Sequence, residues 1–254
     1  NKLPFLYAGA SRGIVNFNQE RDYHIQYIVS DFKKNSRIYT FTVRGQKTAL
    51  KPKRKLSSMM TLRYDRMNHF HQPGLMLNVR RGLLPDNVEL KPRTTKRPGK
   101  LSDSYRFYDS SYPLFNWANI SLKLHKKVKD PSKLYIKSTW GSARFMGGIY
   151  KEGWVTGRCR ELGATYEIAI DEEAPRISPV NQASWNGRHR ICIGIIDNES
   201  GIKSYEGYLD GQFILFAEVP KSPWVACDLA ETPVIKTGKV RQLKFIATDN
   251  RNNQ

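Results

Sequence analysis

Apolar positions along this chain recur at every second residue almost throughout. Residues 23–30 alternate tyrosine with aliphatic positions, and Ile38-Tyr39-Thr40-Phe41-Thr42-Val43 is dense in the β-branched and aromatic residues that suit a half-buried pleated strand. The same period predicts strands over residues 75–79, 120–124, 134–137, 154–159, 166–170, 190–196, 204–209, 212–216 and 242–248. No long stretch carries a capped 3.6-residue period. The predicted class is all-β, with short strands between turn signals; Asp210-Gly211 is the clearest two-residue hairpin turn.

An internal repeat sharpens this pattern. Tyr27-Ile28-Val29-Ser30-Asp31-Phe32-Lys33-Lys34-Asn35 overlays Phe245-Ile246-Ala247-Thr248-Asp249-Asn250-Arg251-Asn252-Asn253: an apolar run, a hydroxyl residue, Asp, and Asn four later. Asp and Asn suit a turn between antiparallel strands because their side chains bond nearby backbone and tolerate left-handed geometry. The first copy runs on into a strand at residues 38–43, whereas the second stops at Gln254, so the last strand is expected to be missing. Too few residues precede the first copy for a sandwich of ~100 residues. With Asn1 in place of Met at the start, the chain reads as a mature product or an excised fragment, cut at both ends.

Two junctions divide the chain. Residues 47–55 (Lys-Thr-Ala-Leu-Lys-Pro-Lys-Arg-Lys) form a basic, proline-bearing linker, and Asp171-Glu172-Glu173-Ala174-Pro175 an acidic one. Three β units follow: an incomplete one over 1–46, a middle β-sandwich over 47–170, and a terminal β-sandwich over 171–254.

Charge adds a possible partner class. Lys plus Arg number 42 against 23 Asp plus Glu, a net of +19; residues 51–100 alone carry 13 against 3, or +10, while residues 171–254 carry 10 against 11, or −1. Such a field concentrates polyanions without choosing among them. A solvated basic surface accounts for it without nucleic acid, and no nucleic acid is expected as a partner. No run of ~20 apolar residues is present to span a membrane as a helix. Cys159, Cys192 and Cys227 are too few and too far apart for a zinc ribbon or a redox Cys-x-x-Cys. Strand parity sets Cys192 opposite the face of Ile191 and Ile193 and puts Cys227 with Val225, so no disulfide is expected between them.

Catalytic chemistry is sparse. His69-Phe70-His71 would place two imidazoles on one face of a strand, where both could reach one zinc, but a third ligand is not evident and Gln72-Pro73-Gly74 follows as a turn. There is no Gly-x-Ser-x-Gly elbow and no phosphate-cradling glycine loop. Asp197-Asn198-Glu199-Ser200-Gly201-Ile202 has oxygen ligands for calcium, yet a turn with glycine at positive φ explains it more simply. Trp117, Trp140, Trp154, Trp185 and Trp224 could form a stacking platform beside basic residues; core filling is the expected role for each.

Several motifs together resemble a known family. Ala174-Pro175-Arg176-Ile177-Ser178-Pro179-Val180-Asn181, then Asp197-x-x-Ser200-Gly201-Ile202-Lys203-Ser204-Tyr205 with Asp210-Gly211, then Ala247-Thr248-Asp249 with Asn253, resemble the immunoglobulin-like tail of secreted lysostaphin-type zinc endopeptidases of Gram-negative bacteria. Asn78-Val79-Arg80-Arg81-Gly82-Leu83-Leu84-Pro85-Asp86 and Gly153-Trp154-Val155-Thr156 are similar to the segment that follows the peptidase domain there. That family cleaves peptidoglycan cross-links with zinc held by His-x-x-x-Asp and His-x-His. This chain has no His-x-x-x-Asp, and His69-Phe70-His71 falls in the accessory part. Asn250-Arg251-Asn252-Asn253 also departs from the family's Gly-Asn ending.

The resemblance implies tandem β-sandwiches, the last immunoglobulin-like, with residues 1–46 the remnant of another such unit. It implies a non-catalytic accessory region, periplasmic or secreted in the cell envelope, that positions or regulates a peptidase domain outside this chain. Zinc is expected only in that domain and no cofactor in this chain. The expected partners are that domain and peptidoglycan or another anionic envelope polymer, met by the basic surface at Lys51, Lys53, Arg54 and Lys55. One alternative is a free-standing adhesin or carbohydrate-binding module; another is a zinc hydrolase using His69 and His71.

Overall fold

A computed structural model describes residues 15–47, 60–232 and 240–254. The chain is all-β and divides into two compact units between Leu56 and Ser57. No helix among the described residues is long and apolar enough to cross a membrane.

The described part of the first unit is one antiparallel hairpin, β1 (Asp22–Ser30) and β2 (Ser36–Arg44), in register from Asp22 opposite Arg44 to Ser30 opposite Ser36. Its turn is built by Asp31. Oδ1 accepts the amides of Lys33 and Asn35, both at 2.9 Å, and Oδ2 accepts Asn35 Nδ2 at 2.8 Å, while Lys34 takes the left-handed conformation. Tyr27, Ile28, Val29, Ile38 and Tyr39 are exposed.

The second unit begins with β3 (Thr61–Leu62), β4 (Asn68–Gln72), β5 (Leu75–Val79), β6 (Val88–Glu89), β7 (Arg93–Thr95) and β8 (Ser104–Arg106). It continues through β9 (Pro113–Lys123), β10 (Leu134–Trp140), β11 (Ser142–Phe145), β12 (Ile149–Lys151), β13 (Trp154–Glu161) and β14 (Thr165–Ile170). Two five-stranded sheets result, β11-β10-β14-β8-β7 and β12-β13-β9-β5-β4, beside the short pair β3-β6. Alternate residues point inward as the period-two pattern requires. Leu75, Leu77, Ile120, Leu122 and Val155 of one sheet share a core with Leu134, Ile136, Tyr166 and Ile168 of the other. Each large aliphatic side chain so buried contributes about 1.5–3 kcal/mol.

A second sandwich follows: β15 (Arg176–Pro179), β16 (Arg190–Ile196), β17 (Ile202–Leu209), β18 (Gln212–Ile214), β19 (Ala217–Glu218), β20 (Trp224–Asp228) and β21 (Leu243–Asp249). Its sheets read β15-β16-β20-β19 and β18-β17-β21. That is the A-B-E-D against C′-C-F order of an immunoglobulin-like sandwich. Ile191, Ile193, Ile195, Val225 and Cys227 pack against Leu209, Ile214 and Ala247. β17 and β18 turn at Asp210-Gly211, both at positive φ, the two-residue hairpin the sequence predicts. Gly207 lets the Phe216 ring lie against the strand, since a Cβ there would come within 2.2 Å of it.

The repeat is structural as well as sequential. Asp249 Oδ1 accepts the amides of Arg251 (2.7 Å) and Asn253 (2.9 Å), Oδ2 accepts Asn253 Nδ2 (2.6 Å), and Asn252 is left-handed, position for position the turn at Asp31. Here the turn docks on the preceding sandwich. Arg251 Nη1 donates to the carbonyls of Leu134 (2.8 Å) and Gly148 (2.9 Å), its guanidinium lies over Phe145, and Asn253 Nδ2 donates to Asp171 O at 3.0 Å. Arg251 thus joins the two sandwiches together with Asn253, the Ser200 amide on Asp171, and Glu199, which bonds Tyr135 and Lys137.

Candidate functional site

Four of the five tryptophans stay out of the cores. Trp117, Trp140 and Trp224 are exposed and Trp154 is half-buried, which corrects the expectation of core filling for them, while the half-buried Trp185 packs against the core of the terminal sandwich. Tyrosines take that role instead: Tyr105 and Tyr166 are buried in the core of the first sandwich. An indole needs its N–H satisfied when buried. Trp185 meets that need by donating to Val180 O at 2.9 Å.

Trp117 and Trp140 flank one groove of about 400 Å³, lined also by Pro113, Arg144, Arg160 and Glu161. Strand geometry puts the rings there. Alternation turns Ala118 and Ile120 inward and Trp117 outward, and between Pro113 and Ala118 β9 bulges against β13, whose register shifts from Cys159 opposite Ala118 to Glu161 opposite Pro113. Bulges of this kind re-aim side chains and recur beside functional sites. Trp140 ends β10, where Gly141 at positive φ turns the chain into β11.

Arginines complete the surface. Strand alternation turns Val155 and Cys159 inward and Arg158 and Arg160 outward. Their guanidinium carbons each lie 5.5 Å from the Trp117 ring centre, and that of Arg106 lies 5.4 Å from the Trp140 ring centre. Such stacking holds a cation against an aromatic face without neutralising it. Glu161, the carboxylate in the lining, is committed to structure: it accepts the amides of Tyr112 (2.5 Å) and Gly163 (2.8 Å) and the Ser111 hydroxyl (2.8 Å). The groove therefore offers flat apolar faces and positive charge together.

The sequence-predicted sites are distributed differently. Lys51, Lys53, Arg54 and Lys55 lie outside the described residues, as does most of the 47–55 linker. Further along the basic stretch, several cations pair with acids beyond residue 100: Lys96 with Asp103, Arg97 with Glu167, and Lys91 and Arg93 with Asp109. His69 and His71 stand exposed on β4, with His69 Nδ1 2.6 Å from Asn78 Oδ1. No acid, cysteine or further histidine joins them in a metal-sized group among the described residues. Cys192 and Cys227 occupy opposite faces as parity requires, and all three thiols are free. Burial pushes the Cys159 thiol up to about 12, so it stays protonated at neutral pH.

Asp171, Asp197 and Asp249 are brought together where the two sandwiches of the second unit join. Asp197 builds its own turn, accepting the amides of Glu199 (3.1 Å) and Gly201 (2.5 Å), with Gly201 at φ +77° as the loop pattern predicts. Sequence gives no sign of the convergence, because the three carboxylates sit in separate segments. Burial holds the Asp197 carboxyl above its usual range, and Asp171 and Asp249 push it the same way while the Gly201 and Glu199 amides oppose.

No curated protein and no solved structure matches the chain. Residues 59–171 match the model of the Zu5-like domain, so the sandwich that carries the Trp117–Trp140 groove, and ends at Asp171, is similar to that family.

Proposed function

We propose that this chain is a non-catalytic binding region of the cell envelope, accessory to a peptidoglycan zinc endopeptidase whose catalytic domain lies outside it. Its task is to hold that domain against the anionic wall polymer. The observation that carries the binding role is the groove in which Trp117 and Trp140 are both exposed and both stacked by arginine. Peptidoglycan has the complementary chemistry: sugar rings with apolar faces for the indoles, and stem-peptide carboxylates for guanidinium groups. The link to a peptidase rests on the resemblance of the terminal motifs, and the envelope location rests on the same ground.

Co-sedimentation of the intact chain with purified peptidoglycan tests this reading. Binding is expected to be saturable, to weaken with salt, and to fall in Trp117→Ala and in Arg158→Glu with Arg160→Glu. Unchanged binding in all these variants contradicts it.

A second reading is a free-standing carbohydrate-binding module or adhesin, favoured by the exposure of the two rings alone. It predicts saturable binding to neutral polysaccharide that needs the tryptophans and survives replacement of the arginines.

A further inference from the structure

Three carboxylates from distant segments converge at the joint between the two sandwiches. Asp171 follows β14, Asp197 follows β16 and Asp249 ends β21, and an oxygen of each lies within 4.8 Å of the others. Asp171 and Asp249 are buried, at 1% and 0% exposure. Backbone amides orient them: Glu173 and Ser200 donate to Asp171, Glu199 and Gly201 to Asp197, Arg251 and Asn253 to Asp249. These donors supply dipoles and no counter-charge. None of the three carboxylates forms an ion pair with lysine or arginine among the described residues. Arg251, the cation at the joint, feels the charge of Asp249 and Asp171 at a distance but spends its hydrogen bonds on the carbonyls of Leu134, Gly148 and Ser132, and Lys133 Nζ donates to Arg251 O.

A second observation comes from Ser200. Its amide donates to Asp171 Oδ2 at 3.1 Å and its carbonyl accepts Asn250 Nδ2 at 2.8 Å, so its backbone is fixed beside the cluster. Its hydroxyl, three bonds from that amide nitrogen, is buried without any hydrogen-bond partner. Buried hydroxyls are rarely left so. An oxygen-seeking ligand between the carboxylates supplies what both the hydroxyl and the like charges lack.

We propose that Asp171, Asp197, Asp249 and the Ser200 hydroxyl bind one hard divalent cation of calcium's class, which ties the two sandwiches together. An all-oxygen ligand set suits calcium over zinc, whose sites favour nitrogen and sulfur. The spacing fits as well. Oxygens on opposite sides of calcium stand up to roughly 5 Å apart at about 2.3–2.6 Å each, which admits three oxygens within 4.8 Å of one another. This site is independent of the groove and of any peptidase.

The test is calorimetric titration of the intact chain, stripped with EDTA, using calcium chloride, beside thermal melts with and without the metal. Wild type is expected to take up one calcium per chain, with a dissociation constant in the range of about 10⁻⁵–10⁻³ M, and to gain Tm. Asp197→Asn keeps an oxygen for the Glu199 and Gly201 amides, and Ser200→Ala removes only the hydroxyl, so both are expected to match the wild-type circular dichroism spectrum in EDTA. Each should weaken calcium binding at least tenfold. Absence of binding up to about 10 mM calcium overturns the proposal, as does uptake that neither variant alters.

Discussion

The groove and the joint are two regions of the second unit that carry charge, and they handle it in opposite ways. Beside the groove, Arg158 and Arg160 are exposed and lie over the Trp117 ring, while Arg106 lies over Trp140 with its guanidinium bonded to the carbonyls of Tyr108 and Asp109. At the joint, carboxylates are withdrawn from water and aimed at one another by backbone amides. Two unit charges 4 Å apart repel by about 4 kcal/mol at an effective dielectric constant of 20. Charge at the groove is therefore open to solvent, whereas charge at the joint is enclosed with Arg251 as its neighbouring cation. A net charge of +19 reveals neither arrangement.

Breaking the groove gives the largest expected effect. Replacing Trp117 and Trp140 together by Ala should cut wall binding by tenfold or more, at about 1–3 kcal/mol per stacking ring. Both rings are exposed, so the urea midpoint should stay near wild type; a large loss of stability would mean that the rings serve packing.

Breaking the joint acts on stability instead. Asp249→Ala strips the acceptor from the Arg251 and Asn253 amides in a buried turn and should cost about 2–3 kcal/mol in urea unfolding. The matching change in the exposed first copy, Asp31→Ala, should cost much less, although the two turns share every hydrogen bond of the motif. Wall binding should be unaffected by either.

A pH series sharpens the contrast further. Burial raises the Asp197 carboxyl, with Asp171 and Asp249 adding to it. Between its unfolded and folded values the native state then binds more protons than the unfolded state, so stability present at low pH is lost as pH rises through the folded value. Glu199, bonded to the Tyr135 hydroxyl and near Lys137, and Arg251 complete the charged surroundings. In EDTA, the urea midpoint of Asp197→Asn should therefore depend less on pH than that of wild type as pH rises above about 4. The smallest effect expected is that of salt on calcium uptake at the buried joint, set against a marked loss of wall binding at the open groove.

Much of the fold was legible because it is written in local pattern. Period two located the strands, residues 75–79 and 190–196 with their observed bounds. Asp210-Gly211 fixed its hairpin, and the Asp-to-Asn repeat anticipated two turns equivalent in their hydrogen bonds. Short strands such as β3, β6 and β7 escaped because two or three residues carry no period. The groove was half legible. Tryptophans beside basic residues were visible as types, and alternation with Ala118 and Ile120 turns Trp117 outward, but the pairing that brings its ring to the same groove as Trp140 is not encoded in periodicity. The pairing of charge was not legible for a related reason: the acids that meet Lys96, Arg97 and Arg93 lie beyond residue 100 and reach them through folding. For the joint, the loop at Asp197 was recognised as oxygen-rich, while Asp171 read as linker charge and Asp249 as a turn residue.

The most direct measurement of the binding role is an ¹⁵N NMR titration of the intact chain with soluble peptidoglycan fragments, following the five tryptophan indole N–H signals. Trp117 and Trp140 should shift or broaden together and saturably, while Trp185, whose indole is held by Val180 O, stays in place. Shifts centred on Trp224, or none at all at saturating fragment, would contradict the assignment of the groove as the wall-binding surface.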